Sequence, residues 1–502
     1  MSDRPLLLAI DQGTTSSRVL LFDRELQPVL TLQRELPQSF PHPGWVEHDA
    51  HGIAVDVRAL CTEAVDRCRR EDLGEVVAAG LTNQRETVVL WERATGRALH
   101  PAIVWQDRRT AAACATLREQ GQEDEVRART GLVLDPYFSA TKLAWLLDQV
   151  PGARERAEHG ELACGTIDCW LAWQLSGGAM HVTEATNASR TLLWNLRRGA
   201  WDEALLDLFG IPASLLPEVR PSGSSFGMLR LGSPEVELPL LAMVGDQQAA
   251  ALSQGCLDAG ASKCTYGTGA FFVQSTGGAP PEDPAGLLGT ALLGDADAPR
   301  FALEGAVFAA GASVQWLRDG LGLFEQAADI AGLAAAADDQ ERVYMVPAFA
   351  GLGAPHWEAD ARGMLCGLTR GSDRRSVARA ALEAGCFRTL DLLEATRGAG
   401  MPLPDRLAID GGMARNDWFA QRLADLLDLE VARPDNPEAT ARGAAMLAGR
   451  ELGWWPDLAS APAAPLAASF APRMDAAERE DRRGGWKAAV AACRALAGGG
   501  PS

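Results

Sequence analysis

The chain opens with short apolar runs separated by polar turns, which is the pattern of β-strands. Three strands are predicted, at residues 6–10, 17–22 and 29–36. A turn of small polar residues, Asp11-Gln12-Gly13-Thr14-Thr15-Ser16, lies between the first two. Apolar spacing near 3.6 residues then predicts helices at residues 54–68 and 140–147. Strands and helices in one segment indicate an α/β fold.

A similar unit opens the second half of the chain. Residues 263–266 form a predicted strand, Gly267-Thr268-Gly269 a turn, and residues 271–273 a further strand. The repeated order of strand, Gly/Thr turn and strand predicts two related domains, which we place at residues 1–253 and 254–502.

The C-terminal part of the chain continues the mixed pattern. A strand at residues 406–409 runs into a glycine-rich turn at residues 410–416. The helix that follows has its apolar face at Phe419, Leu423, Leu426 and Leu427. Further helices are predicted at residues 440–452 and 486–496, and the Ala/Pro-rich stretch 459–473 is predicted to be irregular.

Charge and composition narrow the classes of function. The formal net charge is −19, and the chain has three lysines and no dense basic run, so we expect no nucleic-acid partner. No stretch is apolar for long enough to span a bilayer, so we expect no membrane insertion. The ten cysteines include no Cys-x-x-Cys pair, which favours free thiols in the reducing cytoplasm.

Several common nucleotide and metal motifs are absent from the sequence. The chain has no Gly-Lys dipeptide, which excludes a Walker A loop, and no Gly-x-Gly-x-x-Gly, which excludes the simplest dinucleotide and protein-kinase loops. It has no His-Glu-x-x-His, and its seven histidines show no spacing typical of zinc ligands.

Three aspartates, Asp11, Asp246 and Asp410, each follow an apolar strand beside a turn of small residues. Ligands of open α/β sheets bind beyond the carboxyl ends of the strands. Glycines there let the backbone approach a phosphate, and carboxylates beside phosphates require a Mg²⁺ to bridge them. The combination predicts a cleft for a Mg²⁺-nucleotide between two domains, although each turn taken alone is also ordinary turn chemistry.

Longer motifs accompany these turns. They lie at residues 9–18, 44–49, 82–87, 104–110, 135–139, 245–248, 266–269 and 351–355. On these motifs the chain resembles the FGGY family of carbohydrate kinases, from about residue 6 to about residue 450. The segments at 44–49, 82–87, 104–110 and 135–139 resemble the members that phosphorylate glycerol.

This resemblance implies a fold and an activity. The fold is α/β, with two ribonuclease-H-like domains of the actin/Hsp70/sugar-kinase superfold and a cleft between them. The activity is transfer of the ATP γ-phosphoryl group to glycerol, giving sn-glycerol 3-phosphate, with Mg²⁺ as cofactor. Residues 1–253 would bind glycerol and carry the first phosphate loop, and residues 254–502 would bind the nucleotide. A cytoplasmic homodimer or homotetramer is expected.

The resemblance also implies which residues form the sites. The predicted glycerol pocket consists of Arg85, Glu86, Trp105, Tyr137, Asp246, Gln247 and Phe271. The predicted nucleotide site consists of Thr14, Thr15, Ser16, Arg18, Thr268, Gly311, Gln315, Gly412 and Asn416. Mg²⁺ is expected at Asp11 and Asp246.

The chemistry of these residues suits such roles. A triol needs convergent hydrogen-bond donors and acceptors, which Arg85, Glu86 and Asp246 supply, and an aromatic cover for its C–H groups. A hydroxyl that attacks a phosphoryl group must lose its proton, so Asp246 is the predicted catalytic base. The simpler interpretations are a helix N-cap for Asp246, a surface ion pair for Arg85 and Glu86, and a core side chain for Trp105.

Some features differ from the family. Residues 228–235 lack both the glycine-rich loop that binds fructose 1,6-bisphosphate in some relatives and the phosphorylatable histidine of others, so neither form of regulation is expected. Arg388 stands where many relatives carry an uncharged polar residue.

Three alternatives to glycerol phosphorylation stay open. The first is another FGGY kinase that acts on a pentulose, a hexulose or gluconate. The second is a non-enzymatic member of the same superfold, such as a nucleotide-gated switch. The third is a zinc- or thiol-dependent enzyme, for which no ligand spacing exists in the sequence.

Overall fold

A computed structural model describes residues 4–232, 234–295, 298–435 and 438–498. The strands are β1 (Pro5–Gln12), β2 (Ser16–Phe22), β3 (Pro28–Glu35), β4 (Glu47–His48), β5 (Glu75–Asn83), β6 (Val88–Glu92), β7 (Ala102–Ile103), β8 (Leu162–Thr166), β9 (Val182–Glu184), β10 (Trp194–Asn195), β11 (Ala200–Trp201), β12 (Glu218–Arg220), β13 (Gly223–Leu231), β14 (Val236–Gly245), β15 (Ser262–Tyr266), β16 (Ala270–Gly277), β17 (Leu288–Leu293), β18 (Arg300–Val307), β19 (Tyr344–Val346), β20 (Met364–Cys366), β21 (Arg406–Asp410), β22 (Glu430–Pro434) and β23 (Leu466–Phe470).

The helices alternate with these strands. They are α1 (Ala50–Glu71), α2 (Ala111–Glu119), α3 (Glu123–Thr130), α4 (Ser139–Gln149), α5 (Ala153–Glu158), α6 (Ile167–Leu175), α7 (Ala185–Ala188), α8 (Glu203–Phe209), α9 (Asp246–Ser253), α10 (Gly311–Gln315), α11 (Asp329–Ala335), α12 (Arg374–Gly398), α13 (Asp417–Leu427), α14 (Ala439–Glu451) and α15 (Ala476–Gly498). In the described part of the chain, no helix combines the length and the apolar character needed to cross a membrane.

The first large sheet has six strands in the order β13-β14-β5-β1-β2-β3. Strand β1 is antiparallel to β2 and parallel to β5, and β14 is parallel to β5. The register places Gln12 opposite Asn83, and Asn83 opposite Gly245. The carboxyl ends of three strands therefore meet at one edge, and Asp246 begins the helix that leaves this edge.

The second large sheet repeats this arrangement with seven strands in the order β17-β18-β16-β15-β21-β22-β23. Strand β15 is antiparallel to β16 and parallel to β21, with Thr265 opposite Asp410. The hairpin β15–β16 thus corresponds to the hairpin β1–β2, as the repeated sequence unit predicted. The expected α/β fold with two sheets is confirmed.

Helix α14 packs on the first sheet although it lies late in the chain. Its buried alanines share one core cluster with Leu7 and Ala9 of β1 and with Leu252 of α9. The close approach depends on Gly443, because a Cβ atom there would lie 1.9 Å from the backbone oxygen of Ala249. The chain therefore returns to the first sheet near its C-terminal end. The division at residues 253 and 254 stays a prediction.

The C-terminal segment corrects two expectations. Residues 459–473 were expected to be irregular, but Leu466–Phe470 form β23, antiparallel to β22 at the edge of the second sheet. Its Ala-rich sequence has no alternation, and the strand forms through backbone pairing with a distant partner. Helix α15 begins at Ala476, ten residues before the predicted start. The prediction missed its first turns because they are rich in charged residues and show no apolar periodicity.

Arg388 has a structural role that the sequence did not suggest. This residue of α12 is buried, and its guanidinium donates to Asp391 Oδ2 at 2.6 Å and to the backbone oxygen of Ala354 at 2.5 Å. Asp391 also accepts a hydrogen bond from Trp486 Nε1 at 2.9 Å. Arg388 therefore ties α12 to the 351–355 segment and, through Asp391, to α15. Residues 228–231 are the last four of β13, residues 232, 234 and 235 lie between β13 and β14, and Ser233 lies outside the described residues.

The cysteines are free thiols, as expected, and nine of the ten are buried. Burial raises the pKa of Cys61, Cys164, Cys256 and Cys264 from 9.0 to about 12 each. The folded chain therefore keeps these thiol protons in a pH range where the unfolded chain releases them.

We expect the free energy of unfolding to fall as pH rises above about 9. Between its pKa in the unfolded chain and its higher pKa in the folded chain, each such thiol lowers the free energy of unfolding by about 1.4 kcal/mol per pH unit. Lys142, whose pKa burial lowers to about 8, opposes this trend with a single group. Urea unfolding between pH 8 and pH 10.5 measures the slope, and Cys61→Ala should reduce it by the share of one thiol. A slope that Cys61→Ala leaves unchanged would contradict the assignment.

Candidate active site

The first predicted phosphate loop is the turn between β1 and β2. The amide of Gly13 donates to the backbone oxygen of Ser16 at 2.9 Å, which closes a tight turn. Thr15 at its tip is exposed, and Thr14 and Ser16 are half-buried. Arg18 lies on β2 directly opposite Asp11 and forms an ion pair with Glu438 at 3.0 Å. The turn thus presents hydroxyls and backbone amides beside one arginine.

Asp11 experiences a surplus of negative charge. Its pKa is raised to about 7, mainly by burial and further by Asp246 and Glu438, against the opposing effect of Arg18. Asp11 and Asp246 both lie where the carboxyl ends of β1 and β14 meet at one edge of the first sheet. A pair of close carboxylates with too little compensating positive charge favours a cation.

The second predicted phosphate turn, Gly267-Thr268-Gly269, is held against the start of α10. The amide of Gly311 donates to the backbone oxygen of Gly267 at 3.0 Å, and the amides of Ala310 and Ala312 donate to that of Thr268. Thr268 is exposed. Gln315 is exposed at the other end of this short helix. The structure thus brings Thr268, Gly311 and Gln315 together.

The third turn follows β21 and adjoins the second. Gly411 has a φ of 91°, and a Cβ atom there would lie 2.4 Å from the backbone oxygen of Tyr266. Gly412 borders open space. Asn416 is the N-cap of α13, and its side chain accepts from the amide of Phe419 at 3.1 Å. Gly412 therefore lies at an open surface beside the second turn, whereas Asn416 already has a structural role.

Aromatic side chains from both halves of the chain enclose the predicted glycerol pocket. The ring centroid of Trp105 lies 5.6 Å from that of Tyr137 and 6.0 Å from that of Phe271, both edge to face. Trp105 Nε1 donates to Thr14 Oγ1 at 2.9 Å. This hydrogen bond joins the aromatic wall to the first phosphate loop, so the pocket and the loop form one site.

Charged side chains form the polar part of the same pocket. Arg85 Nε lies 3.3 Å from Asp246 Oδ1. Glu86 Oε1 accepts from Arg190 Nε at 2.5 Å, and burial raises the pKa of Glu86 against the opposing effect of Arg190 and Arg85. Glu86 has a φ of 60°, which is rare for a residue other than glycine and is often found at functional sites. Because Arg85 is buried, the interpretation as a surface ion pair is wrong.

Asp246 is the first residue of α9, and Gly245 is the N-cap. The interpretation of Asp246 as the N-cap is therefore wrong. Its Oδ1 accepts from the amide of Gln247 at 2.7 Å. Burial raises the pKa of Asp246, while Arg85 and Lys263 lower it. The side chain keeps 30% of its surface exposed, so a ligand can reach it.

Four buried residues at this site were not predicted from the sequence. They are Arg190, Gln248, Lys263 and Glu304. Lys263 Nζ donates to Gln247 Oε1 at 2.6 Å and to Thr265 Oγ1 at 2.8 Å. A lone glutamate within the apolar strand 301–308 was the available signal for Glu304, since an unpaired charge is rare in a buried strand.

Two domain profiles match most of the chain. The FGGY carbohydrate kinase N-terminal domain matches residues 6–253, and the C-terminal domain of the same family matches residues 262–452. The chain belongs to the FGGY family of carbohydrate kinases. Its expected superfold is therefore that of actin, Hsp70 and the sugar kinases.

Related FGGY proteins match over nearly their whole length. The chain is 52% identical over 491 residues to a glycerol kinase of Rhodospirillum centenum, with 98% of each chain covered. It is 49% identical over 492 residues to glycerol kinase 1 of Pseudomonas aeruginosa, with 98% of this chain and 99% of the relative covered.

Solved structures agree with this. A Plasmodium falciparum glycerol kinase with ADP has a TM-score of 0.92 and 33% identity, covering 98% of this chain and 99% of that one. A ligand-bound xylulose kinase from Lactobacillus acidophilus has a TM-score of 0.88 at 21% identity, covering 99% of both chains, which supports the fold alone. In this FGGY chain, the contacts of the predicted nucleotide residues with ATP stay a prediction.

Proposed function

We propose that the protein is a glycerol kinase that transfers the γ-phosphoryl group of ATP to glycerol, giving sn-glycerol 3-phosphate and ADP. The observation that carries this proposal is that Arg85, Glu86 and Asp246 lie beside the aromatic wall, which consists of Trp105, Tyr137 and Phe271. That wall is bonded to the first phosphate loop through Trp105 and Thr14. A small polyol bound there would lie beside the phosphates.

The pocket suits a triol in shape and polarity. Edge-to-face rings of Trp105, Tyr137 and Phe271 offer apolar surface for the carbon chain and exclude water. The carboxylates of Glu86 and Asp246 accept from hydroxyls, and the guanidinium of Arg85 donates to them. A pocket built to hydrogen-bond hydroxyls discriminates strongly against ligands that lack them.

Asp246 is the general base in this proposal. As the attacking hydroxyl of glycerol bonds to the γ-phosphorus, its proton passes to a carboxylate oxygen of Asp246 and the bond to the β-phosphate oxygen breaks. Burial raises the pKa of Asp246, which makes its carboxylate a better proton acceptor than an exposed aspartate. Its place at the start of α9 fixes it at the edge of the first sheet.

The turns of both halves hold the phosphates. The first half of the chain would contact the phosphates through Thr14, Thr15 and Ser16, and the second half through Thr268. Bound nucleotide would therefore span the cleft. Backbone amides in such turns stabilise anions, and Arg18 adds a positive charge near the transferred group. In-line transfer depends mainly on this positioning and on charge stabilisation.

The acidic residues fit a Mg²⁺ that arrives with the nucleotide. Asp11 and Asp246 would hold it, and a divalent cation would offset the repulsion between their carboxylates. Within residues 4–232, 234–295, 298–435 and 438–498, no group of three or more metal-ligating side chains occurs. The two carboxylates of Asp11 and Asp246 suit Mg²⁺, because this ion binds through one or two carboxylates and otherwise through phosphates and water. The cation would neutralise phosphate charge during transfer.

An ADP-release assay across several polyols tests the proposal. Purified protein is incubated with Mg²⁺-ATP and, separately, glycerol, dihydroxyacetone, xylulose and gluconate. We expect kcat/KM to be highest for glycerol. A preference for xylulose or gluconate would show that the chain is a different FGGY kinase. ADP release that none of these compounds stimulates would favour a nucleotide-gated member of the superfold that phosphorylates no small molecule.

Lys142 provides a first variant for this assay. The residue is buried in α4, and its Nζ donates to the backbone oxygens of Tyr137 at 2.6 Å and of Pro136 at 3.3 Å. It thereby fixes the turn that carries the Tyr137 ring. We expect Lys142→Met to raise the glycerol KM about tenfold, the scale of lost hydrogen bonds to a charged donor, and to leave the ATP KM unchanged.

The third lysine of the chain provides the control. Lys487 is largely exposed and pairs with Glu394 at 3.1 Å, so Lys487→Met should leave both KM values unchanged. Equal rises of both KM values in Lys142→Met would show a general loss of structure instead of a displaced Tyr137.

We also propose a cytoplasmic location and assembly as a homodimer or homotetramer. Cell fractionation with antibody detection tests the location. Size-exclusion chromatography with light scattering tests the assembly, and a mass of a single 53.3 kDa chain at micromolar concentration would exclude it.

A further inference from the structure

A buried carboxylate from the second half of the chain holds two arginines of the first half. Glu304 lies on β18, and its Oε1 accepts from Arg85 Nη1 at 2.7 Å and from Gln248 Nε2 at 2.8 Å. Its Oε2 lies 3.3 Å from Arg190 Nη1. The side chains of Arg85, Arg190 and Glu304 are at most 6% exposed. One carboxylate therefore compensates two buried guanidinium groups.

Each of these arginines also holds a residue of the predicted glycerol pocket. Arg85 contacts Asp246 through Nε, and Arg190 donates from its own Nε to Glu86. The Arg190 guanidinium also lies over the Tyr137 ring, 5.1 Å from its centroid. Arg85 therefore links Glu304 to Asp246, and Arg190 links Glu304 to Glu86.

The electrostatics and the fold agree with this arrangement. Burial alone would raise the pKa of Glu304, but Arg190 and Arg85 outweigh it and bring the pKa to about 2, so the carboxylate is charged. Strand β18 is also the neighbour of β16, which carries Phe271. Adjacent strands of the second sheet therefore supply both an aromatic wall and an anchor to a pocket built mostly on the first half.

We propose that Glu304 is a positioning residue of the glycerol pocket, which acts by fixing Arg85 and Arg190 and through them Asp246 and Glu86. This inference rests on the proposed function. Without the carboxylate, the two guanidinium groups repel each other and lose their shared negative charge, and Arg85 also loses a hydrogen-bond acceptor. Both would then reorient towards Asp246 and Glu86, which would displace the groups that bind the hydroxyls.

The chain offers a matched control for this test. Glu383 on α12 is also a buried glutamate between two arginines, with Arg422 at 2.6 Å and Arg482 at 3.7 Å. These three residues join α12, α13 and α15, and within the described part of the chain their hydrogen bonds and ion pairs involve no predicted ligand residue. Glu304→Gln and Glu383→Gln therefore remove the same charge from similar surroundings.

We would measure kcat, the KM values of glycerol and ATP, and the melting temperature for wild type, Glu304→Gln, Glu304→Asp and Glu383→Gln. Both glutamine variants should melt at lower temperature. Only the Glu304 variants should raise the glycerol KM, by about tenfold to a hundredfold for glutamine and less for aspartate, with the ATP KM within about twofold of wild type. The aspartate variant keeps the charge, so it remains informative if the glutamine variant does not fold.

Two results would overturn the inference. One is a glycerol KM within about twofold of wild type in Glu304→Asp and in any Glu304→Gln that folds. The other is an equal rise in Glu383→Gln. Failure of the proposed function would look different, because wild type itself would then not turn over glycerol.

Discussion

Asp246→Asn should lower kcat by about 10²- to 10⁴-fold, the usual scale for loss of a general base. Asparagine keeps the size of the side chain and its contact with the amide of Gln247, but it cannot accept the hydroxyl proton. Nucleotide affinity should change little, since the phosphate turns lie elsewhere. Steady-state kinetics with saturating glycerol, together with ADP binding by calorimetry, measures both quantities.

Asp168→Asn is the matched control for that variant. Asp168 is also a buried aspartate in the first turn of a helix, and burial also raises its pKa. Among the described residues, its side chain is hydrogen-bonded to Thr166, Thr183 and nearby backbone, away from the pocket. Its substitution should leave kcat within about threefold of wild type while lowering stability. An Asp246→Asn variant that keeps more than about a tenth of wild-type kcat would remove Asp246 from the role of base.

Arg85→Ala should have the largest effect on substrate affinity. The variant removes a hydrogen-bond donor to glycerol and leaves Glu304 without one of its two compensating charges. We expect the glycerol KM to rise about 10- to 100-fold, because a hydrogen bond with a charged partner contributes about 1.5–3 kcal/mol. The ATP KM should rise far less. Initial rates as a function of each substrate separate the two effects.

Arg482→Ala controls for the loss of a buried arginine. Arg482 is 2% exposed and pairs with Glu478 and Glu383, away from the pocket. It should destabilise the fold without a selective effect on glycerol. If Arg85→Ala raised the KM of both substrates equally, its ion pairs would be structural and the assignment of the pocket would fail.

The sequence predicted the elements whose local pattern determines them. The apolar strands next to Asp11, Asp246 and Asp410, and the small-residue turns beside them, depend on residues that are close together in the sequence. The structure places these strand ends at the edges of two matching sheets. The proximity of Arg85 and Asp246 was also expected, because the motifs at residues 82–87 and 245–248 carried the family resemblance that placed both in one pocket.

Long-range partners could not be predicted in this way. The contact of Arg85 with Glu304 joins residues 219 positions apart, and Lys263 reaches Gln247 from a different half of the chain. Periodicity shows which face of an element is buried, but it does not show which buried charge meets which. The edge strand β23 was missed for the same reason. It forms by pairing with β22, and its own sequence has no alternation of apolar and polar residues.

The most direct test of the central claim is the identity and stoichiometry of the product. Wild-type protein is incubated with Mg²⁺-ATP and an excess of glycerol, and the mixture is followed by ³¹P NMR and by a stereospecific glycerol-3-phosphate dehydrogenase. The account predicts one sn-glycerol 3-phosphate for each ADP formed, with no inorganic phosphate above background. Release of inorganic phosphate with ADP, or the absence of any phosphorylated glycerol, would contradict it.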